Sequence, residues 1–326
     1  GGRQVLLITN HVSEHYDAMY IGHMDTVFPD GTAEKRPFRI EGENYYGPGV
    51  GDMKNGDLAM FHIAANLPET EKKCLNIAMV YNPDEEIGSI YSKEITDRIG
   101  CQADHIFVME SAGKNGTRHC FARKGSLTYD IEFQGQAAHA GFMFEVENAS
   151  AVLEMGHYIV ELMSLADREK DTTVNVGIAN GGTARNVVAD HAKISVEMRF
   201  RDDSERIRLK EYVNKITEGQ PFVPGVKTTI TMQKETPPFI KTEEAKKYIE
   251  RVRKVAEEQG IPFEEKDRGG LSDANHLSRC GNAIVMDGMG PHGANDHSEK
   301  EYGYIGSVEP CVKLHLAILK DMLKKQ

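Results

Sequence analysis

The sequence predicts an α/β protein built from both ends of the chain, with a smaller βαββαβ domain inserted in the middle. Three observations carry this. Short apolar runs alternate with helical stretches in the first third of the chain. The middle switches to strands in which polar and apolar residues alternate. After "ETPPF" (235–239) the pattern of long amphipathic helices returns.

In chain order, "DAMYIGHMD" (17–25), "LNIAMVYN" (75–82) and "DHIFVME" (104–110) read as strands buried on both faces. Between the first two, "NGDLAMFHIAAN" (55–66) carries apolar residues at helical spacing. Strands alternating with helices imply a mostly parallel sheet covered on both sides. "GSLTYDIEFQG" (125–135) has the period of two of a half-buried strand. A helix at about 148–166, strands at 173–182 and 191–202, a charged helix around "DSERIRLKEYVNKI" and a strand at 226–233 complete a small antiparallel sheet with two helices on one face. Two further helices are expected, "TEEAKKYIERVRKVAEEQ" and "SVEPCVKLHLAILKDMLKK". The expected domains are 1–117 with 236–326, and 118–235 inserted between them.

Composition excludes several function classes. Of 326 residues 40% are hydrophobic, and 50 acidic against 39 basic residues give a net charge of −11. A nucleic-acid binder needs the opposite sign, and an anionic membrane surface would repel this chain. No apolar run is long enough to span a bilayer, and "GGRQVLLITN" lacks the features of a signal peptide. Five scattered cysteines without a CxxC predict reduced thiols, a cytoplasmic location and no cysteine-based zinc site.

Ligands of open α/β sheets bind beyond the carboxyl ends of the strands. There this chain places His23 and Asp25 in "GHMDT", Asp84, Glu85 and Glu86 after "LNIAMVYN", and Glu110 after "DHIFVM". Asp52 sits in the glycine-rich "GPGVGDMKNG" just before a helix. Alone, each has an ordinary explanation: a structural histidine, a helix N-cap, an arginine partner, a solvated turn. Together they deliver imidazole and carboxylates to one edge, and adjacent carboxylates such as Glu85 and Glu86 need a cation. That donor set suits zinc, and also manganese or cobalt.

The order "GHMDTV … GPGVGDMKNG … NPDEEIGS … Glu110 … GQAAHAG … GGTARNVV … EMRFR … GGLSDAN … GMGPHGANDHSEKEY" runs from residue 22 to residue 302. It resembles the dizinc aminoacylase/carboxypeptidase metallopeptidases, among them glutamate carboxypeptidase, succinyl-diaminopimelate desuccinylase, acetylornithine deacetylase and aminoacylase. The resemblance implies a phosphorylase/hydrolase-like catalytic domain with an inserted ferredoxin-like lid or dimerisation domain. It implies two Zn2+ ions per chain (Mn2+ or Co2+ as alternatives), held by His23, Asp52, Glu86, Glu110 and His297. Asp52 would bridge the two metals at a separation of roughly 3.5–4 Å. Asp25 would hold the His23 ring, and Glu85 would act as general base on the bridging water. His297, followed by Glu301 and Tyr302, fits the family pattern; His292 is expected as an exposed loop residue lining the cleft.

The same resemblance gives His139 a role in the partner subunit's site, and gives Arg199 and Asn186 the substrate carboxylate and carbonyl. A strand-face ion pair is the alternative for Arg199, and Arg185 is read as structural. Ser272 in "GGLSDAN" is expected to line the cleft and bind substrate. The remaining histidines match no motif. Two departures stand out: the family carries a further segment ahead of the "GHMDTV" strand, and Ala189 stands where a proline usually follows "NVV". The implied function is hydrolysis of an amide bond beside a free carboxylate, in a glutamate-carboxypeptidase-like exopeptidase acting on small peptides. An N-acyl-amino-acid deacylase or dipeptidase uses the same core. A non-catalytic binding or dimerisation module is the alternative of a different class. A homodimer through the lid is expected.

Overall fold

The computed structural model describes residues 4–325. The chain divides into two compact units, one formed by the chain up to Arg123 and from Phe239 onward, the other by Lys124–Pro238. The sequence expectation put the first break six residues earlier. The reason lies in Arg123: its N–H donates to Phe239 O (2.9 Å) and its carbonyl accepts from Phe239 N–H (3.1 Å). The buried His119, Cys120 and Phe121 accordingly stay with the first unit.

The first unit is built on a five-stranded sheet in the order Leu6–Thr9, Ile77–Asn82, Tyr16–His23, Ala103–Val108, Ile284–Met286. Four strands are parallel and Leu6–Thr9 runs antiparallel at the edge. This edge strand was not expected from the sequence. Side chains of the central strand alternate between two cores, as the strand period of two demands. Ala18 and Tyr20 join the core made with helices Asn55–Asn66, Glu243–Glu258 and Val308–Met322. Met19 and Ile21 face the other core, with Ile99 and Leu277. A second small sheet joins Arg39–Glu41, Asn44–Tyr46, Tyr302–Tyr304, Gly290–Ala294 and Ser111–Ala112. No described helix is long and apolar enough to cross a membrane.

The second unit has a four-stranded antiparallel sheet in the order Thr173–Gly181, His191–Phe200, Gly125–Gln134, Lys227–Thr236. Helices Ala151–Met163 and Asp203–Glu218 complete a strand–helix–strand–strand–helix–strand order. Leu127, Tyr129, Ile131 and Phe133 pack into one core with both helices, while the alternating Thr128, Asp130 and Glu132 stay out of it. The helices start where side chains satisfy their free N–H groups: Ser150 accepts from Leu153 N–H and Asp202 from Glu205 N–H.

Candidate metal centre

Sheet register brings the sequence-predicted residues of the first unit together. His23 ends the central strand opposite Asn82, so the turn carrying Glu85 and Glu86 starts beside it. Met109 N–H donates to Ile21 O (2.8 Å), which sets Glu110 level with His23 on the other side. Asp52 lies in the irregular turn Val50–Lys54, entered through Gly49 at φ 73°, a conformation that suits glycine. His297 adopts a left-handed φ of 61° in the loop before Tyr302–Tyr304.

Asp52 is the centre of this arrangement. Its Oδ1 lies 3.1 Å from His23 Nε2, and its Oδ2 lies 3.0 Å from His297 Nε2. Glu110 Oε1 is 3.7 Å from the same His23 nitrogen, and Glu86 Oε2 is 3.3 Å from the same His297 nitrogen. Ligand atoms of His23, Asp52 and Glu86 lie within 4.8 Å of one another, and so do those of His23, Glu85 and Glu110. Glu85 is therefore also within reach of a cation beside His23. His23 is buried, whereas the His297 side chain is 56% exposed, so one side of the cluster is closed and the other open to solvent.

Asp25 does more than the sequence predicted. Its carboxylate lies 3.4 Å from His23 Nδ1, and its backbone oxygen 3.2 Å. The same carboxylate accepts the backbone N–H of Glu85 at Oδ1 (3.1 Å) and of Glu86 at Oδ2 (3.0 Å). One side chain orients the histidine and pins the glutamate turn.

The electrostatics are those of a site built for positive charge. Burial lowers the pKa of His23, but hydrogen bonds to Asp25 and Asp52 carry it well above its ordinary value. Burial raises the Asp52 pKa, but His23 and His297 bring it below the usual range. Burial, and then the nearby charge of Asp52, pushes Glu86 up and Glu110 well up. Burial and the adjacent Asp273 push Glu85 up to about 8. Among the described residues, the ion-pair partners of Asp52, Glu86 and Glu110 are His23 and His297, with no lysine or arginine. Two imidazoles and several carboxylate oxygens crowded together fit divalent cations of the zinc, manganese and cobalt type.

Sequence reasoning missed three features around the cluster. Asp273, next to Ser272 in "GGLSDAN", helps to raise the pKa of Glu85. Asp273 is buried and accepts from Asn82 Nδ2 (2.7 Å) and Ser89 Oγ (2.6 Å), with His276 Nε2 at 2.9 Å. The other nitrogen of His276 lies 2.5 Å from Asp97. Ser272 is buried; its hydroxyl donates to Asp287 Oδ2 (2.7 Å) and accepts from Ala274 N–H, so it is committed within the protein. His292 is buried rather than exposed, with Nδ1 2.9 Å from Ala112 O. Glu301, quoted above only as a motif marker, accepts three backbone N–H groups of the Asp52 loop. A buried acid inside the polar run "NDHSEKEY" has no periodicity to reveal it.

In the second unit, His139 and Asn186 lie together. Ala138–His139 pairs with Val187–Val188, and Ala140 N–H donates to Asn186 O (2.9 Å). The His139 ring is exposed and accepts from Gly141 N–H. Arg199 lies at the other end of strand His191–Phe200, opposite Ser126, with its guanidinium on Glu197 Oε1. The strand-face ion pair is thus present.

Residues 19–321 match the model of the peptidase family M20/M25/M40. Carboxypeptidase G2 of Pseudomonas sp. is 25% identical over 308 residues, 93% of this chain and 73% of that protein. Succinyl-diaminopimelate desuccinylase of Halorhodospira halophila is 24% identical over 323 residues, 93% of this chain and 82% of the enzyme. A tripeptidase structure from Staphylococcus aureus superposes with a TM-score of 0.79 at 21% identity, covering 99% of this chain and 85% of its own. A Bacillus subtilis structure described as a dinuclear metal binding peptidase does so at 0.71 and 13% identity, covering 99% and 86%.

Proposed function

Because the chain belongs to the peptidase family M20/M25/M40 and is therefore a hydrolase of a metal-dependent family, we propose that it cleaves an amide bond beside a free carboxylate, with two zinc ions that the residues gathered around Asp52 would hold. The observation that carries this reading is the split of the Asp52 carboxylate, one oxygen toward His23 and one toward His297. His23 and Glu110 would hold one ion, Glu86 and His297 the other. Bound divalent cations would supply Lewis-acid activation of water and of the scissile carbonyl.

Glu85 is assigned the proton work. It takes a proton from the attacking water and returns it to the departing amine nitrogen. In the cation-free site, burial and Asp273 raise its pKa. The Asp25 clamp fixes the backbone of both glutamates; Glu86 would help hold a cation, and Glu85 would act on the attacking water. Ser272 is left out of the substrate-facing set and assigned to bracing its loop through Asp287.

His139 and Asn186 are proposed to serve the neighbouring subunit of a homodimer. The span from Arg199 to His191 is eight residues along one strand, about 26 Å at ~3.3 Å per residue. His139 lies at the His191 end, so one small substrate cannot touch both Arg199 and His139 of one copy. Arg199 is proposed to hold the substrate carboxylate through its planar fork. His139 would polarise the carbonyl in the partner's site.

A carboxypeptidase acting on an acidic C-terminal residue is the first choice of substrate class, with N-acyl-amino-acid deacylase and dipeptidase as the same core's other uses. The test is hydrolysis of a panel of N-acyl amino acids, dipeptides and longer peptides by protein of measured metal content. Turnover confined to substrates with a free α-carboxylate supports the reading. Metal-loaded protein that cleaves none of them contradicts it.

A further inference from the structure

Glu301 is 1% exposed and carries its charge far from solvent. It spends that charge on backbone alone: Oε2 accepts Gly49 N–H (2.9 Å), and Oε1 accepts Gly51 N–H (2.9 Å) and Asp52 N–H (3.0 Å). Hydrogen bonds to an ionised acceptor are about twice as strong as neutral ones, and burial strengthens them further. The peptide that Glu301 grips is held from its other side too, since Gly51 O accepts Ser111 Oγ, the neighbour of Glu110. There is no slack at Gly51: a Cβ there would meet Tyr302 O at 3.0 Å, Asp296 Oδ1 at 3.1 Å and Gly293 Cα at 3.3 Å.

The position of Glu301 in the chain gives this grip a purpose. It follows His297 by four residues, and its own N–H closes the loop back onto Ser298 O (3.2 Å). Strand Tyr302–Tyr304 then leaves into the small sheet, with Tyr302 opposite Tyr46. The anchored end of the His297 loop is therefore fastened to the loop of Asp52. His297 itself is more than half exposed and has little packing to hold it. The 3.0 Å approach of His297 Nε2 to Asp52 Oδ2 depends on two loops whose shared fastening is this carboxylate.

We infer that Glu301 is a positioning residue: it buckles the Asp52 loop to the His297 loop and so sets cation affinity at the position between Asp52, Glu86 and His297. The inference rests on the two-cation reading above. The position beside His23 and Glu110 depends on it less, because His23 ends a strand of the main sheet and Glu110 is set by its neighbouring strand. Replacing one such supporting partner typically lowers metal affinity by about 10–100-fold.

The test is a titration of metal-free protein with Zn2+, followed calorimetrically and by metal content after dialysis, for wild type, Glu301→Gln and His297→Ala. In Glu301→Gln the charge is lost and the amide N–H2 must face at least one of the three backbone N–H donors, so the grip weakens with little change in volume. Glu301→Gln is expected to behave as His297→Ala does: one ion bound within about threefold of wild-type affinity, the other weakened about 10–100-fold. Amide exchange at Gly49, Gly51 and Asp52 in the metal-free protein should accelerate in Glu301→Gln and stay unchanged in His297→Ala. Wild type binding two ions and Glu301→Gln binding both with unchanged affinity overturns the inference. Equal weakening at both positions overturns it as well, since that marks a general structural role. Wild type binding no ion or one would instead sink the two-cation reading. Should Glu301→Gln not fold, Glu301→Asp, which keeps the charge but shortens the reach, is measured; wild-type affinity at both positions then overturns the inference.

Discussion

The carboxylate of Asp25 accepts the backbone N–H of Glu85 at 3.1 Å. With the second bond to Glu86 N–H and the approach to His23 Nδ1, it ties the end of one central strand to the turn that follows its neighbour. Asp25, two residues beyond the histidine, therefore holds both the His23 ring and the backbone of the Glu85–Glu86 turn. Asp25→Asn should break this clamp, because an amide N–H2 must face one of the two N–H donors. Metal affinity is expected to fall about 10–100-fold, and turnover at saturating metal to fall as well, because Glu85 is no longer held. Metal titration paired with kcat checks this; a loss of metal affinity with full kcat restored at high metal would leave Asp25 as a histidine holder only.

The buried network behind Glu85 makes stability depend on pH. Burial lowers the pKa of His276, but hydrogen bonds to Asp273 and Asp97 carry it up to about 9. A raised pKa means that the imidazolium stabilises the fold fully below the ordinary value near 6.5, and that this is lost as pH rises through about 9. The difference is worth up to about 3 kcal/mol. Urea unfolding of wild type and His276→Gln across pH 6–10 should show the wild type losing more stability than the variant by up to that amount. Parallel pH dependence in the two proteins would contradict the network.

Gly56→Ala should destabilise, although alanine is normally the better helix former by about 1 kcal/mol. A Cβ at Gly56 would lie 2.1 Å from Met109 O, a backbone atom at the base of Glu110 that cannot swing aside. Overpacking of this kind typically costs about 1–3 kcal/mol, so the sign reverses. Thermal melts of metal-free protein should show a lower Tm for the variant; a higher one would mean that the helix stands further from the strand end.

Subunit complementation tests the role given to His139. His139→Ala and Glu85→Gln, each nearly inactive, are mixed under conditions that exchange subunits. In a two-fold dimer, half of randomly mixed dimers are heterodimers with one of two sites intact, so about a quarter of wild-type activity should return. No return despite proven exchange would mean that His139 serves its own chain or none.

The residues gathered around Asp52 were readable from residue type and from the motif order that carries the family resemblance. His23, Asp52, Glu86, Glu110 and His297 are polar residues at strand ends and loops, where packing does not explain them. The helices Asn55–Asn66 and Glu243–Glu258 were readable from apolar spacing. The strand Leu6–Thr9 was not, because "LLIT" carries no periodicity to mark it. The unit boundary was misread because the pairing of Arg123 with Phe239 is a backbone contact between distant segments. Residues that act by holding others were also missed. Glu301 and Asp273 bind backbone or buried polar groups, and only the folded geometry brings those partners near. Asp273 could not be singled out for the same reason: its partners Asn82, Ser89 and His276 come together only in the fold.

The division of labour between adjacent glutamates is the centre of this account, and one measurement on two variants tests it most directly. Metal content and turnover are determined for Glu85→Gln and Glu86→Gln, prepared with excess Zn2+ and dialysed. Glu85→Gln is expected to retain two ions per chain while kcat falls by about 10²–10⁴. Glu86→Gln is expected to lose one ion. Turnover of Glu85→Gln within tenfold of wild type, or equal metal loss in the two variants, would contradict the assignment of Glu85 as base and Glu86 as ligand.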